Sequence, residues 1–100
     1  MTIREIKNSP LPQGEDESVA YTLDTDDWGG YSSGAAVVIK DSSGTDVSAT
    51  KLSGSPSESG GVITTPLVTG LTKGESYRLE IKWVYSGNTF ETFVVLRAET

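Results

Sequence analysis

The chain has 100 residues, and its 14 acidic and 8 basic side chains give a net charge of −6. It contains no Cys, which excludes disulfides and thiolate chemistry, and no His, which excludes the commonest metal ligand. A chain of this length usually forms one domain with one core, so we expect a single domain over residues 1–100.

The charge pattern also bears on partners and location. No stripe of Lys and Arg is present that could follow the phosphates of a nucleic acid, so nucleic-acid binding is not expected. The N-terminus MTIREIKNSP carries charges where a signal peptide needs an apolar run, and no segment approaches the ~18 apolar residues that span a bilayer. We therefore expect a complete small gene product that is made in the cytoplasm and does not enter a membrane.

Short alternating stretches bounded by turn residues predict strands in the first half of the chain. TIREIK predicts an edge strand that ends at NSPLPQG, because Pro10 and Pro12 cannot donate hydrogen bonds to a sheet. ESVAYTLD predicts a second strand, with Val19, Tyr21 and Leu23 on one face. After the predicted loop TDDWGGYSSG, the nearly continuous apolar run AAVVIK predicts a central strand that is covered on both sides or crosses the core.

The middle of the chain is richer in turn residues. DSSG predicts a tight turn, in which Asp41 bonds its own backbone and Gly44 takes a positive φ. TDVSATKLS predicts a weaker edge strand, and GSPSESGG predicts a flexible connection. In VITTPLV, Pro66 predicts either an edge strand or a break in the strand.

The last third alternates most regularly. SYRLEIKWVY predicts a strand with one solvent-exposed face. SGN predicts a hairpin turn, and TFETFVVLRA predicts the strand that returns beside the first. Predicted core positions are Tyr77, Leu79, Ile81, Trp83 and Tyr85 on the first strand, and Phe90, Thr92, Val94 and Leu96 on the second. Seven strands at this spacing predict an all-β fold, an antiparallel sandwich.

Leu71, Gly74 and Tyr77 form the pattern Leu-x-x-Gly-x-x-Tyr just before the strongest strand. A buried tyrosine hydroxyl at this position can reach back to the backbone of the preceding turn. The pattern resembles the tyrosine corner of immunoglobulin-like and fibronectin type III sandwiches, which implies a seven-stranded immunoglobulin-like sandwich. In that fold Leu71, Gly74, Tyr77 and Trp83 are structural residues.

A second set of positions carries a narrower resemblance: Tyr21, Leu23, Asp24, Trp28, Leu52, Ser53, Gly54, Gly74, Tyr77 and Leu79. At these positions the chain resembles small accessory proteins of tailed phages and prophages, akin to the amino-terminal domain of baseplate upper proteins. The resemblance implies a non-enzymatic structural module of the virion, whose partners are other virion or tail proteins, or further copies bound through edge strands.

Particular residues raise three other functions, which are carbohydrate binding, calcium binding and catalysis. Trp28 and Tyr31 lie in a Gly-rich loop, where aromatic rings can stack on sugars, so a carbohydrate-binding module is the main alternative. Asp24, Asp26 and Asp27 offer oxygen ligands for calcium, but the position of the last carboxylate of a calcium loop is Ala35. An enzyme is not expected, because no Gly-x-Ser-x-Gly elbow is present and a carboxylate pair of Asp26 with Glu80 or Glu91 would need a cleft. No cofactor is expected.

Overall fold

A computed structural model gives the fold, and it describes residues 3–5 and 11–99, apart from the side chains of residues 3–5, 11, 27 and 28. The described chain is mostly β-structure, arranged in three sheets. The strands are β1 (Ile3–Glu5), β2 (Leu11–Gly14), β3 (Thr22–Asp24), β4 (Ser33–Lys40), β5 (Leu52–Ser53), β6 (Ser57–Ser59), β7 (Val62–Thr64), β8 (Leu67–Val68), β9 (Ser76–Tyr85) and β10 (Asn88–Glu99). A 3-10 helix covers Thr25–Trp28 and the short helix α1 covers Ser48–Lys51. The all-β prediction is confirmed.

The largest sheet is built on the hairpin of β9 and β10. Its order is β1-β10-β9-β4, and β2 joins the same edge of β10 as β1. Both N-terminal strands run parallel to β10, whereas β4 and β9 pair antiparallel. The seven-stranded, fully antiparallel arrangement is therefore not confirmed in its details. The two smaller sheets are β3-β7-β6 and β5-β8.

The core lies between the large sheet and the smaller ones. One apolar cluster combines Leu23 of β3 and Ile63 of β7 with Ile81 and Trp83 of β9. A second joins Val68 of β8 to β4, β9 and β10 through Ile39, Leu71, Tyr77, Leu79, Val94, Leu96 and Ala98. The alternation predicted for β9 and β10 is thus confirmed, because their predicted inward residues from Tyr77 to Trp83 and from Thr92 to Leu96 are buried.

Several predicted elements of the first half and the middle differ from the structure. Among the strands that the structure describes, β4 lies at the edge of the large sheet and has β9 as its one partner strand, besides a single bridge from Lys40 to Asp46, so the prediction of a central strand was wrong. TDVSATKLS contains α1 followed by the two residues of β5, so the single weak strand was also wrong. Pro12 lies inside β2, which occupies the sheet edge, where the missing N–H of a proline is tolerated.

Other turn predictions are confirmed. Asp41 accepts hydrogen bonds through Oδ1 from the backbone N–H groups of Ser43 and Thr45, at 2.9 and 3.0 Å. The chain also breaks at Thr65 and Pro66, because β7 belongs to one small sheet and β8 to another. The turn and the break are local consequences of Asp and Pro chemistry, which explains why the sequence predicts them.

Candidate functional site

The tyrosine corner forms as the sequence predicts. The hydroxyl of Tyr77 accepts a hydrogen bond of 3.0 Å from the backbone N–H of Thr72, and Leu71 is buried beside it. Gly74 has a φ of 88°, and its N–H donates to the carbonyl of Ala98 at 3.0 Å. The stretch therefore ties the entry of β9 to the end of β10, which is a structural role.

Trp83 links the core to the Gly-rich loop. It is fully buried, its ring stacks on Phe90 with centroids 5.8 Å apart, and its Nε1 donates to the carbonyl of Gly30 at 3.0 Å. The ring of Tyr85 lies against the same loop, so a Cβ at Gly29 or Gly30 would come within 3.0 or 3.1 Å of it. This close approach explains the pair of glycines.

The predicted sugar-binding aromatics lie at this end of the molecule. Tyr31 is half-buried against the cluster around Trp83, and its hydroxyl accepts a hydrogen bond of 3.3 Å from the backbone N–H of Ala35. The side chain of Trp28 lies outside the described part of the structure. Because the Tyr31 ring is partly used in packing, the carbohydrate alternative stays a prediction.

The aspartates of the loop contribute to local backbone structure. Oδ1 of Asp24 accepts a hydrogen bond of 3.0 Å from the backbone N–H of Asp26, which caps the 3-10 helix. The side chain of Asp27 is not described. Among the side chains that are described, no group of three or more His, Cys, Asp or Glu could hold a metal ion, so the calcium alternative has no ligand set there.

Gln13 is a buried polar residue that sequence reasoning missed. Its Nε2 donates to the carbonyls of Val68 at 2.8 Å and Glu17 at 3.2 Å, and its Oε1 accepts from the hydroxyl of Tyr21 at 2.6 Å. Burial, and secondarily the carboxylate of Glu17, raises the pKa of Tyr21 above its ordinary value. This network joins β2 to β8, and the only sequence signal for it is a Gln beside Pro12 in a turn-like stretch.

The outward-facing side of the large sheet carries charged and apolar side chains, most of them half-buried. We call it the outer face, and its three cross-strand rows are Ala36–Lys82–Glu91, Val38–Glu80–Phe93 and Lys40–Arg78–Val95. Both apolar clusters lie on the opposite side of these strands. The outer face therefore presents charged and apolar side chains, Phe93 among them.

Electrostatic contacts order the centre of the outer face. Oε1 of Glu80 lies 3.4 Å from Nζ of Lys40, and its Oε2 lies 3.1 Å from Nε of Arg78. The guanidinium carbon of Arg78 is 4.0 Å from the centroid of the Phe93 ring. Although the Arg78–Glu80 approach is close, its geometry is not that of a hydrogen bond. These half-exposed pairs stabilise the fold little, but they hold the cations in defined positions.

Two shallow depressions indent the outer face. One, of about 370 Å³, lies beside Lys40 and Arg78 near Ser76, and the other, of about 340 Å³, lies beside Lys82 and Glu91. Charged groups of both signs line each depression: Lys40, Arg78, Asp41 and Glu80 in the first, and Lys40, Lys82, Asp46, Glu80 and Glu91 in the second.

Hydrogen bonds from neighbouring residues partly block the edge of the large sheet at β4. The backbone N–H of Ile39 donates to Oγ of Ser48 at 2.9 Å, and its carbonyl accepts from the N–H of Val47 at 2.9 Å. Further along, Tyr31 accepts from Ala35, and the pairing with β9 shifts register between Ser33 and Ala36. Such capping and bulging protect edges against the addition of another strand.

Comparisons with known proteins identify no relative. The chain matches no protein-family model, and the searches of curated proteins and of solved structures give no match. Within residues 3–5 and 11–99, no helix has the length and apolar character needed to cross a membrane.

Proposed function

We propose that this protein is a non-enzymatic structural or interaction module, and that its place of action is the virion of a tailed phage or prophage. The virion part of the proposal rests on the sequence resemblance at positions such as Tyr21, Trp28 and Tyr77. The observation that supports the non-enzymatic part is that several carboxylates are hydrogen-bonded to the backbone. Those of Glu17, Asp24, Asp41, Asp46 and Glu58 each accept a hydrogen bond from a backbone N–H in a turn, loop or cap. These carboxylates stabilise the loops and turns that connect the strands.

We further infer that the scaffold is immunoglobulin-like. In an immunoglobulin-like domain, the third, sixth and seventh strands form one sheet, and the second, fifth and fourth strands form the other. The orders β4-β9-β10 and β3-β7-β6 correspond to these two sets, and the corner at Tyr77 adds support. The N-terminal strands depart from the pattern in antibody constant domains, because they join β10 instead of β3.

Such a module would act by presenting surfaces to other virion proteins or to further copies of itself. Two of the edges in the described sheets are β2, which carries Pro12, and β6, whose three residues are polar and exposed. Both edges suit short, weak pairing better than a long shared sheet.

The genes that flank the coding sequence test the proposal without purified protein. Capsid and tail assembly genes on both sides are expected, and peptides of this chain should appear in mass spectra of purified particles. Flanking genes of metabolism, together with particles that lack the chain, would refute the proposed virion role.

A further inference from the structure

One side of β3 carries backbone groups that have no partner among the described residues. The sheet order is β3-β7-β6, so β3 lies at an edge. The carbonyl of Tyr21 accepts a hydrogen bond of 2.8 Å from the segment after β7, and the N–H of Thr25 donates one of 2.9 Å to the segment before it. Because the direction of these groups alternates along an antiparallel strand, Thr22 and Asp24 direct their N–H and C=O groups away from β7.

The same side stays unpaired along the preceding residues. Val19 donates to the carbonyl of Val68 at 3.0 Å and accepts from its N–H at 2.8 Å, so Ala20 lies between two residues that bond toward the smaller sheets. By the same alternation, Ala20 directs its own N–H and C=O groups to the opposite side. We call the outward N–H and C=O groups of Ala20, Thr22 and Asp24 the open edge. No described residue makes a hydrogen bond to these groups.

The open edge lacks the features that protect other edges of the described sheets. Ser48 occupies a backbone group of β4, and β2 contains Pro12. Residues 18–23, with the sequence SVAYTL, contain neither a charge nor a proline. The side chains of Ala20 and Thr22 are exposed, whereas that of Leu23 is buried and fixes the strand to the core. A strand of this kind can accept another strand through backbone hydrogen bonds.

The charges around the open edge are negative. Glu17 precedes the uncharged residues 18–23, Asp24 follows them, and both side chains are exposed, as is that of Asp26. No Lys or Arg occurs between residues 8 and 39 or between residues 52 and 72, and these two ranges include every strand of the two smaller sheets. A partner at this edge therefore meets carboxylates at both ends and an uncharged centre.

We propose that the open edge binds an extended peptide segment of another protein, antiparallel to β3, with a Lys or Arg at each end of an uncharged, β-branched centre. The three N–H and three C=O groups of the open edge would bond the peptide backbone, and the carboxylates at its two ends would attract the two cations. Two copies of β3 would instead bring two acidic edges together. The inference rests on the interaction role proposed above but not on the virion, which the flanking genes test separately.

A short synthetic peptide tests the proposal. In the sequence KVTVTVK the terminal lysines lie opposite Ser18 and Asp24, and the three valines lie opposite the inward residues of residues 19–23. Fluorescence anisotropy of the labelled peptide should give a dissociation constant of roughly 10 µM to 1 mM at about 20 mM NaCl, because one short strand makes a small interface. The peptide EVTVTVE should bind at least about tenfold more weakly. Equal binding of the two peptides, or no binding of KVTVTVK, would overturn the proposal.

Variants of one residue test the backbone hydrogen bonds. Thr22→Pro removes an N–H of the open edge that the fold does not use, whereas Thr22→Val keeps it. Binding of KVTVTVK should weaken about fivefold in the first variant and stay within about twofold in the second, and circular dichroism checks that both fold.

Chemical changes in the peptide give the same test on unaltered protein. In the antiparallel arrangement its threonines direct their N–H groups toward β3, so N-methylation of both threonines should abolish binding and N-methylation of the valines should not. Binding that both methylated peptides retain would mean that the contact depends on charge alone, and strand addition would be wrong.

A matched pair of double variants separates local charge from net charge. Glu17→Gln/Asp24→Asn removes two charges beside the open edge, and Asp41→Asn/Asp46→Asn removes two at the turn after β4, while the side chains keep acceptors for the backbone N–H groups that they bind. Binding of KVTVTVK should weaken at least about threefold in the first variant and stay within about twofold in the second. Equal losses would contradict a local role for the carboxylates.

The free chain identifies the competing occupant. Sedimentation velocity should show a monomer at the concentrations used for peptide binding. If the chain forms a dimer that Thr22→Pro abolishes, the open edge binds a second copy and the proposal is wrong.

Discussion

The hydroxyl of Tyr77 joins the entry of β9 to the turn before it, through the N–H of Thr72. Tyr77→Phe keeps the buried ring and removes the acceptor, so we expect the free energy of unfolding to fall by about 1 kcal/mol. Urea denaturation measures the change. Tyr85→Phe is the matched control, since the Tyr85 hydroxyl has no hydrogen bond among the described residues, and it should change stability by less than about 0.5 kcal/mol. Equal losses in both variants would contradict a role for the corner bond.

Gln13 is held by three hydrogen bonds in a buried position between β2, β8 and Tyr21. Gln13→Leu would leave the carbonyl of Val68 and the hydroxyl of Tyr21 without this partner. At about 1–3 kcal/mol for each group, we expect the free energy of unfolding to fall by about 2–6 kcal/mol. Urea unfolding followed by tryptophan fluorescence checks it. An unchanged unfolding midpoint would mean that water replaces the amide.

Among the elements, the hairpin of β9 and β10 turns through two residues with positive φ, Ser86 at 52° and Gly87 at 79°. Asn tolerates this conformation better than Ser and is favoured in such turns. Ser86→Asn should therefore raise the unfolding free energy by about 0.5–1 kcal/mol, measured by thermal or urea unfolding. Ser42→Asn, in a turn residue without positive φ, is the control and should have no such effect.

The edge at β4 depends on α1, because Ser48 accepts the outward N–H of Ile39. Ser48→Ala exposes that donor, so we expect a loss of about 1 kcal/mol and faster aggregation on heating, measured by light scattering. Ser57→Ala, on the exposed strand β6, is the control. Aggregation at the wild-type rate in Ser48→Ala would show that the capping does not protect this edge.

At the scale of the whole molecule, the sequence predicts what depends on near neighbours. Alternation places the inward residues of β9 and β10, Asp41 and Pro66 predict a turn and a break, and the spacing of Leu71, Gly74 and Tyr77 predicts the corner. Position in a sheet depends on distant pairing, so the apolar run of β4 was mistaken for a central strand.

The candidate surfaces were harder to predict for the same reason. Each row of the outer face combines residues from β4, β9 and β10, and its β4 and β10 members are 55 positions apart, as are Gln13 and Val68. No local pattern encodes these distant pairings. The resemblance to phage proteins and the sugar-binding alternative at Trp28 and Tyr31 stay predictions.

The pH dependence of stability is also a property of the whole fold. Burial and the Glu17 carboxylate raise the pKa of Tyr21 above its ordinary value, so the folded chain favours the protonated phenol. This contribution is fully present below the pKa of the unfolded chain, near 10, and it is lost as pH rises through the folded pKa. Stability should therefore decline above about pH 10.

Two variants isolate this effect in urea unfolding between about pH 8 and pH 11.5. Tyr21→Phe loses the hydrogen bond to Gln13, so its free energy of unfolding should be lower than that of wild type by about 1 kcal/mol at pH 8. Its stability should fall less steeply as the pH rises, because the titrating hydroxyl is absent, and the difference from wild type should therefore become smaller. Glu17→Gln removes the repulsive charge and keeps an acceptor for the N–H of Gly14, so its alkaline slope should also be shallower. If the free energy of unfolding falls with pH in parallel for all three proteins, Tyr21 does not cause the loss of stability in alkali. A group whose pKa is the same in the folded and the unfolded chain does not make stability depend on pH.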